Sequence, residues 1–129
     1  MSSMMLQNTV TTYFAALRAM NADAWVATFA ANAVLHDPVG QPPFEGHAAI
    51  RHFAEQVFGL CTTFGLTEES IFLAGNEAAI KWNGHAVGKN GREITFAGID
   101  VITVNEAGAI QTVRVYWNPV PVLTELQAM

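Results

Sequence analysis

The chain has 129 residues, of which 51% are hydrophobic, 10% aromatic and 13% charged. A charged fraction about half the usual quarter, beside an apolar fraction at the top of the globular range, excludes disorder and calls for a large core, or a core plus a buried interface. The length leaves room for one domain over residues 1–129, and a formal charge of −5 with six scattered Lys and Arg residues offers phosphate backbones no footprint, which excludes nucleic acid as a partner.

From Leu6 to Leu17 the apolar residues Leu6, Val10, Tyr13, Phe14 and Leu17 recur at steps of three and four, which predicts an amphipathic helix with Tyr13 on its apolar stripe. No charge precedes Arg18, and polar residues interrupt the apolar ones. The basic start and continuous apolar run of a signal peptide or membrane span are therefore missing, and a cytoplasmic protein is expected. Asn21 is placed to cap a second helix over 22–30. The stretch from Asn32 to Asp37 turns β-like, Pro38 ends it, and a stiff loop over 39–45 leads to a third helix opened by Gly46 and carrying Ile50, Phe53, Val57 and Phe58. Cys61 has no partner for an internal disulfide and no basic neighbour in sequence, so it reads as a small buried residue in a reducing compartment.

Beyond it the period changes from helical to alternating. Strands near 63–73, 77–87, 93–104 and 109–117 are separated by Gly75-Asn76, Lys89-Asn90-Gly91 and Asn105-Glu106-Ala107-Gly108, all hairpin signals. Three helices followed by an antiparallel meander predict an α+β fold in which helices cover one face of a curved sheet and leave a pocket between the layers.

Three residues in this frame carry chemistry. Asp100 sits mid-strand between Ile99 and Val101, on the face shared by Gly98, Ile102 and Val104; burial there would raise its pKa, whereas an outward side chain, or one bonded to a neighbouring strand, would need no function. Asp37, fixed by Pro38 at a strand end, is either a general base beside a loop or the side chain of an Asx turn. Tyr13 is either a hydrogen-bond donor into the pocket or a core residue bonded to any nearby carbonyl.

Taken together, Tyr13, the run His36-Asp37-Pro38-Val39-Gly40-Gln41-Pro42-Pro43 with Gly46 following, Ile99-Asp100-Val101, and Ile110-Gln111-Thr112 leading to Tyr116-Trp117 resemble the bacterial ketosteroid isomerase family. That family lies within the cone-shaped nuclear transport factor 2-like, or SnoaL-like, superfamily. The resemblance implies that Asp37 moves a proton beside a ketone, that Tyr13 and a neutral Asp100 donate to the dienolate oxygen, and that neither a metal nor another cofactor is needed. This family is the established example of a carboxylic acid kept neutral for such donation. The implied substrate is a small hydrophobic ketone, with Phe14, Val34, Phe53, Phe58, Phe96, Val113 and Trp117 supplying pocket walls and the core around them. The family member with the most similar loop supports its phenol with two further tyrosines, where this chain carries Phe29 and Ala54.

Lys81, Asn83 and His85 share one strand face and fall where the family lines its pocket. On that reading they make the pocket polar, and Lys81 pulls Asp100 toward its carboxylate; a different register places them at the rim instead. A second enzyme reading uses Asp37, His36, Lys81 and His85 for dehydration, cyclisation or epoxide opening, and a third is a non-catalytic binding module. Finally, Trp82, Val115 and the stretch 120–123 read as apolar sheet surface that a second copy would cover in a homodimer.

Overall fold

A computed structural model describes residues 3–129. Helix α1 (Ser3–Arg18) buries Leu6, Val10, Tyr13, Phe14 and Leu17, the stripe read from the periodicity. Asn21 caps α2 (Ala22–Val26) by accepting from the Ala24 N–H at 3.0 Å. This helix is shorter than the sequence suggests, because strand β1 (Phe29–His36) already begins at Phe29, where it meets Ile110. The expected loop contains a two-residue strand, β2 (Phe44–Glu45), paired antiparallel to β1, and α3 (Gly46–Gly59) follows it directly.

The meander comprises β3 (Cys61–Ala74), β4 (Glu77–Gly88), β5 (Glu93–Val104) and β6 (Ile110–Tyr116), with every neighbouring pair antiparallel. The full sheet runs β2-β1-β6-β5-β4-β3, and β1 lies parallel to β6. The antiparallel meander read from hairpin spacing stands, and β1 joins its β6 edge in parallel: β1 and β6 are separated by α3 and four strands, so no hairpin constrains their direction. Asn90-Gly91 closes one hairpin with Gly91 at φ +82°, a conformation glycine adopts without a steric cost.

Among the described residues four helices pack on this curved six-stranded sheet, an α+β architecture. The fourth, α4 (Val120–Gln127), replaces the expected apolar sheet surface over 120–123. Pro121 lies in its first turn, where a missing N–H costs no hydrogen bond, and Val122 and Leu126, one turn apart, are the buried pair. The Asn90 amide donates to the Glu125 and Ala128 carbonyls, both at 2.8 Å, and Arg92 pairs with Glu125 at 2.8 Å. The hairpin turn between β4 and β5 therefore holds α4 across one end of the sheet. At the other side of the fold, Arg18 donates to the Leu66 carbonyl at 2.9 Å and to Glu68 at 2.6 Å, fastening α1 to β3. Cys61 is buried at the start of β3 and free.

Candidate active site

Helices and sheet enclose a cavity of about 160 Å³, ample for several water molecules and mostly apolar in its walls. Leu17 and Tyr13 come from α1, Trp25 from α2, Phe53, Ala54, Val57 and Phe58 from α3, and Trp82, Phe96, Asp100, Val115 and Trp117 from the sheet and its edge. Pro119, Val122, Leu123 and Leu126 close it from α4 and the link before it. Among the described residues, Tyr13, Asp37 and Asp100 are the only ionisable groups in these walls.

Asp37 follows β1 directly, and the adjoining loop is tied down by the Val39 N–H donating to the Val115 carbonyl at 2.9 Å. The Trp117 indole donates to Asp37 Oδ1 at 2.7 Å. Burial raises the carboxyl pKa from 3.8 to about 6, and the indole bond partly opposes the rise by favouring the carboxylate. Asp37 is therefore ionised at neutral pH and sits in a weakly solvating site.

Asp100 is fully buried, and the Trp82 indole donates to its Oδ1 at 2.9 Å. Desolvation raises its pKa to about 8; the Trp82 bond and the Tyr13 hydroxyl pull it down, while the Asp37 charge pushes it up. At pH 7 the two carboxyl groups thus hold opposite states, Asp37 charged and Asp100 neutral. An indole N–H can only donate, so Asp100 Oδ1 must accept, and the proton of the neutral acid belongs on Oδ2. Tyr13, 2% exposed, lies beside this pair. Burial foremost, then the charges on Asp100 and Asp37, holds its phenol well above the usual tyrosine range.

The remaining sequence-derived pocket residues divide. Phe53, Phe58, Phe96 and Trp117 line the cavity. Phe14 and Val113 do not: both are wholly buried in the surrounding core, Phe14 edge-on to Tyr13 at a centroid distance of 5.0 Å. Val34 is corrected too, because it alternates with buried Ala33 and Leu35 and faces away from the core. His36 alternates in the same way and is absent from the cavity walls.

Lys81, Asn83 and His85 are corrected to the outer face of the sheet. The register pairs Ile80 with Asp100 and Trp82 with Gly98, and directly opposed residues share a face. The even-numbered residues of β4 therefore look inward and the odd-numbered ones outward. Lys81 pairs with Glu69 at 3.2 Å, Asn83 also donates to Glu69, and His85 meets Glu93 at 2.6 Å. Lys81 consequently has no access to Asp100. Lys81→Ala is expected to leave turnover unchanged and to cost at most about 1 kcal/mol of stability, the range of an exposed ion pair, in a side-by-side activity assay and denaturant titration.

Trp82 is the residue that sequence reading placed on the wrong side. Instead of surface, it is 1% exposed and bonded to Asp100. The signal was its parity with Ile80 and Ala86 against the polar odd-numbered positions. Gly98 makes this possible: a Cβ there would lie 2.5 Å from Trp82 Cζ2 and 2.9 Å from Trp117 Cβ. Phe96 bridges the two indoles, with centroids 5.9 Å from Trp82 and 5.4 Å from Trp117.

An α+β fold with an apolar cavity and three ionisable side chains in its wall fits a small-molecule enzyme or binder of the nuclear transport factor 2-like class. Residues 10–113 match the SnoaL-like domain family, and the chain belongs to that family, whose members are often enzymes. Similar solved structures include SalBIII, described as an epoxide hydrolase/cyclase-like enzyme in pyran ring formation in polyether salinomycin, at 24% identity and a TM-score of 0.81 over 89% of this chain and 92% of that one. RV0760c from Mycobacterium tuberculosis is 22% identical, with a TM-score of 0.81 over 92% of this chain and 94% of that one. The same protein in complex with estradiol-17beta-hemisuccinate gives 23% and 0.80 over 88% and 94%. At these identities the likeness is one of fold. Among the described residues no helix is long and apolar enough to cross a membrane.

Proposed function

We propose that the protein is a steroid Δ-isomerase-like enzyme that moves a carbon–carbon double bond in a 3-oxo-steroid or a similar hydrophobic ketone. The observation that carries this reading is the cavity wall: mostly apolar, with Tyr13, Asp37 and Asp100 as its only ionisable groups among the described residues. Asp37 takes the proton from the carbon beside the ketone, the C–H electrons form a dienolate, and the same carboxyl returns the proton two carbons further on. Tyr13 and Asp100 Oδ2 donate to the oxygen on which charge develops, in a site with little water to compete. A steroid complex of the similarly folded RV0760c agrees with a cavity of this kind. The test mixes the purified protein with a 5-ene-3-ketosteroid and follows the ultraviolet absorbance of the conjugated product. Rapid conversion supports the reading, and none at micromolar enzyme overturns it.

The likeness to SalBIII favours one second reading on the same residues. Asp37 would deprotonate a substrate hydroxyl, the oxygen would attack an epoxide carbon as the C–O bond breaks, and Asp100 would protonate the leaving oxygen. Chromatography of a hydroxy-epoxide before and after incubation separates this reaction from isomerisation.

A homodimer remains part of the proposal, on a different surface from the one first inferred, since Trp82, Val115 and α4 belong to the cavity. The outer sheet face exposes Phe72 (71%), Ile99 (43%) and Tyr116 (45%). The pairings Lys81–Ile99–Tyr116 and Phe72–Ala79–Val101 place them on adjoining rows. Sedimentation at micromolar concentration is expected to give the dimer mass, shifted toward monomer by Phe72→Asp; a wild-type monomer overturns the assignment.

A further inference from the structure

Among the described residues, two buried side-chain atoms of residues that interact with the Tyr13 phenol have no hydrogen-bond partner: Trp25 Nε1 and Asp100 Oδ2. The second is the proton-bearing oxygen of the neutral acid already described. The first has no role in that chemistry, and a buried N–H left unpaired is costly. Trp25 is 2% exposed and lies on α2, with its ring 5.6 Å from Tyr13 and 5.0 Å from Phe29 by centroid. The indole packs on the phenol ring and acts on Tyr13 in the direction that favours the phenolate, while its N–H meets no acceptor at full hydrogen-bond geometry among the described residues.

We propose that Trp25 is a positioning residue: its indole N–H completes a hydrogen bond to the Tyr13 oxygen as Tyr13 gives its own proton to a ligand oxygen. The inference rests on the reading above, in which Tyr13 donates to a developing oxyanion. As negative charge grows on the ligand, the Tyr13 proton is drawn toward it and the phenol oxygen becomes a better acceptor. A donor waiting behind that oxygen then strengthens its bond in the transition state more than in the ground state. Such an interaction raises kcat and leaves substrate affinity nearly unchanged, and its resting geometry is long. Trp25, Tyr13 and the ligand oxygen form a chain of two donations in one direction, and neighbouring bonds in such a chain reinforce each other. Asp100 interacts with the same phenol, but with its Oδ1 held by Trp82 its Oδ2 proton is the second, parallel donation to the ligand oxygen.

The test is a double-mutant cycle of Trp25→Phe and Tyr13→Phe, read as turnover of a 5-ene-3-ketosteroid. With Tyr13 present, Trp25→Phe is expected to lower kcat roughly tenfold, the scale of one hydrogen bond to a charge-bearing group, with KM changed by less than about twofold. In the Tyr13→Phe background it is expected to do nothing further. Should the melting curve show that Trp25→Phe has lost the fold, benzothienylalanine at position 25 replaces the N–H with sulfur and keeps the ring shape. Equal losses in both backgrounds, a rise in KM alone, or full activity with benzothienylalanine overturn the inference while isomerase activity stands. Absence of turnover by the wild-type protein overturns the underlying reading and the inference with it.

Discussion

Asp37→Asn is expected to lower kcat on a 5-ene-3-ketosteroid by roughly 10²- to 10⁴-fold, the contribution of a positioned general base, without loss of fold. Asparagine is nearly isosteric, and its carbonyl oxygen can still accept the Trp117 indole, which now donates to Asp37 Oδ1 at 2.7 Å. The substitution also removes a carboxyl whose pKa is raised to about 6 by burial. Such a group favours the unfolded state wherever the unfolded carboxyl is ionised and the folded one resists ionisation, so the Asn variant should gain stability on wild type as pH rises from 4 to 7. Loss of turnover joined to an unchanged or higher melting temperature at pH 7 marks a residue kept for chemistry. An undiminished kcat removes Asp37 as the base and with it the proposed isomerase mechanism.

The ease of locating Asp37 from sequence and the difficulty of orienting Trp82 have the same physical origin. Proline after Asp37 fixes a strand end locally, and the helical stripe through Tyr13 needs only its own periodicity. Likewise, α1, α3 and the β4–β5 hairpin lie close to the spans read from spacing and turn residues. Which face of β4 looks inward depends on its register with β5, a relation between segments; one residue of slip exchanges Lys81, Asn83 and His85 for Ile80, Trp82 and Gly84. The polarity of β4 alone favoured the odd-numbered positions as the outer face. The family resemblance pointed the other way and put Lys81 in the pocket. The parallel seam of β1 with β6, and the folding of 120–127 into a helix over the cavity mouth, are equally non-local: an apolar run after a Pro fits a strand or a short helix until the surface it covers is known. The four indole and aromatic groups around the carboxyls follow from this tertiary placement. Trp117 and Phe96 were legible because their strands were, whereas Trp82 acquires meaning only from Asp100, which its N–H reaches, and Trp25 only from its packing against Tyr13.

The kcat/KM of the wild-type protein is expected to trace a bell, rising as Asp37 ionises near pH 6 and falling as Asp100 loses its proton near pH 8. The acid limb reflects the need for a charged base. The alkaline limb reflects the need for a neutral donor, since a second carboxylate beside the developing oxyanion would repel it. Asp100→Asn carries an uncharged side chain at every pH, so the alkaline limb should vanish. Asp100→Leu removes the donor and should cost about 10²- to 10³-fold in kcat, the range for one oxyanion donor. Stability supplies an independent reading of the same group. The unfolded carboxyl ionises near 3.8 and the folded one near 8, so between those values the folded state binds more protons than the unfolded state. The stabilisation associated with that proton is complete below pH 3.8 and is lost progressively up to about pH 8. Between pH 4 and pH 7 wild type should therefore lose roughly 4 kcal/mol relative to Asp100→Asn, at about 1.4 kcal/mol per unit of pKa difference, measured by urea denaturation at the two pH values. A bell with no alkaline limb in wild type, together with a stability difference that does not change with pH, would mean that Asp100 is ionised in the folded protein. The neutral donor would then be absent, and Tyr13 would be left to stabilise the oxyanion beside a carboxylate.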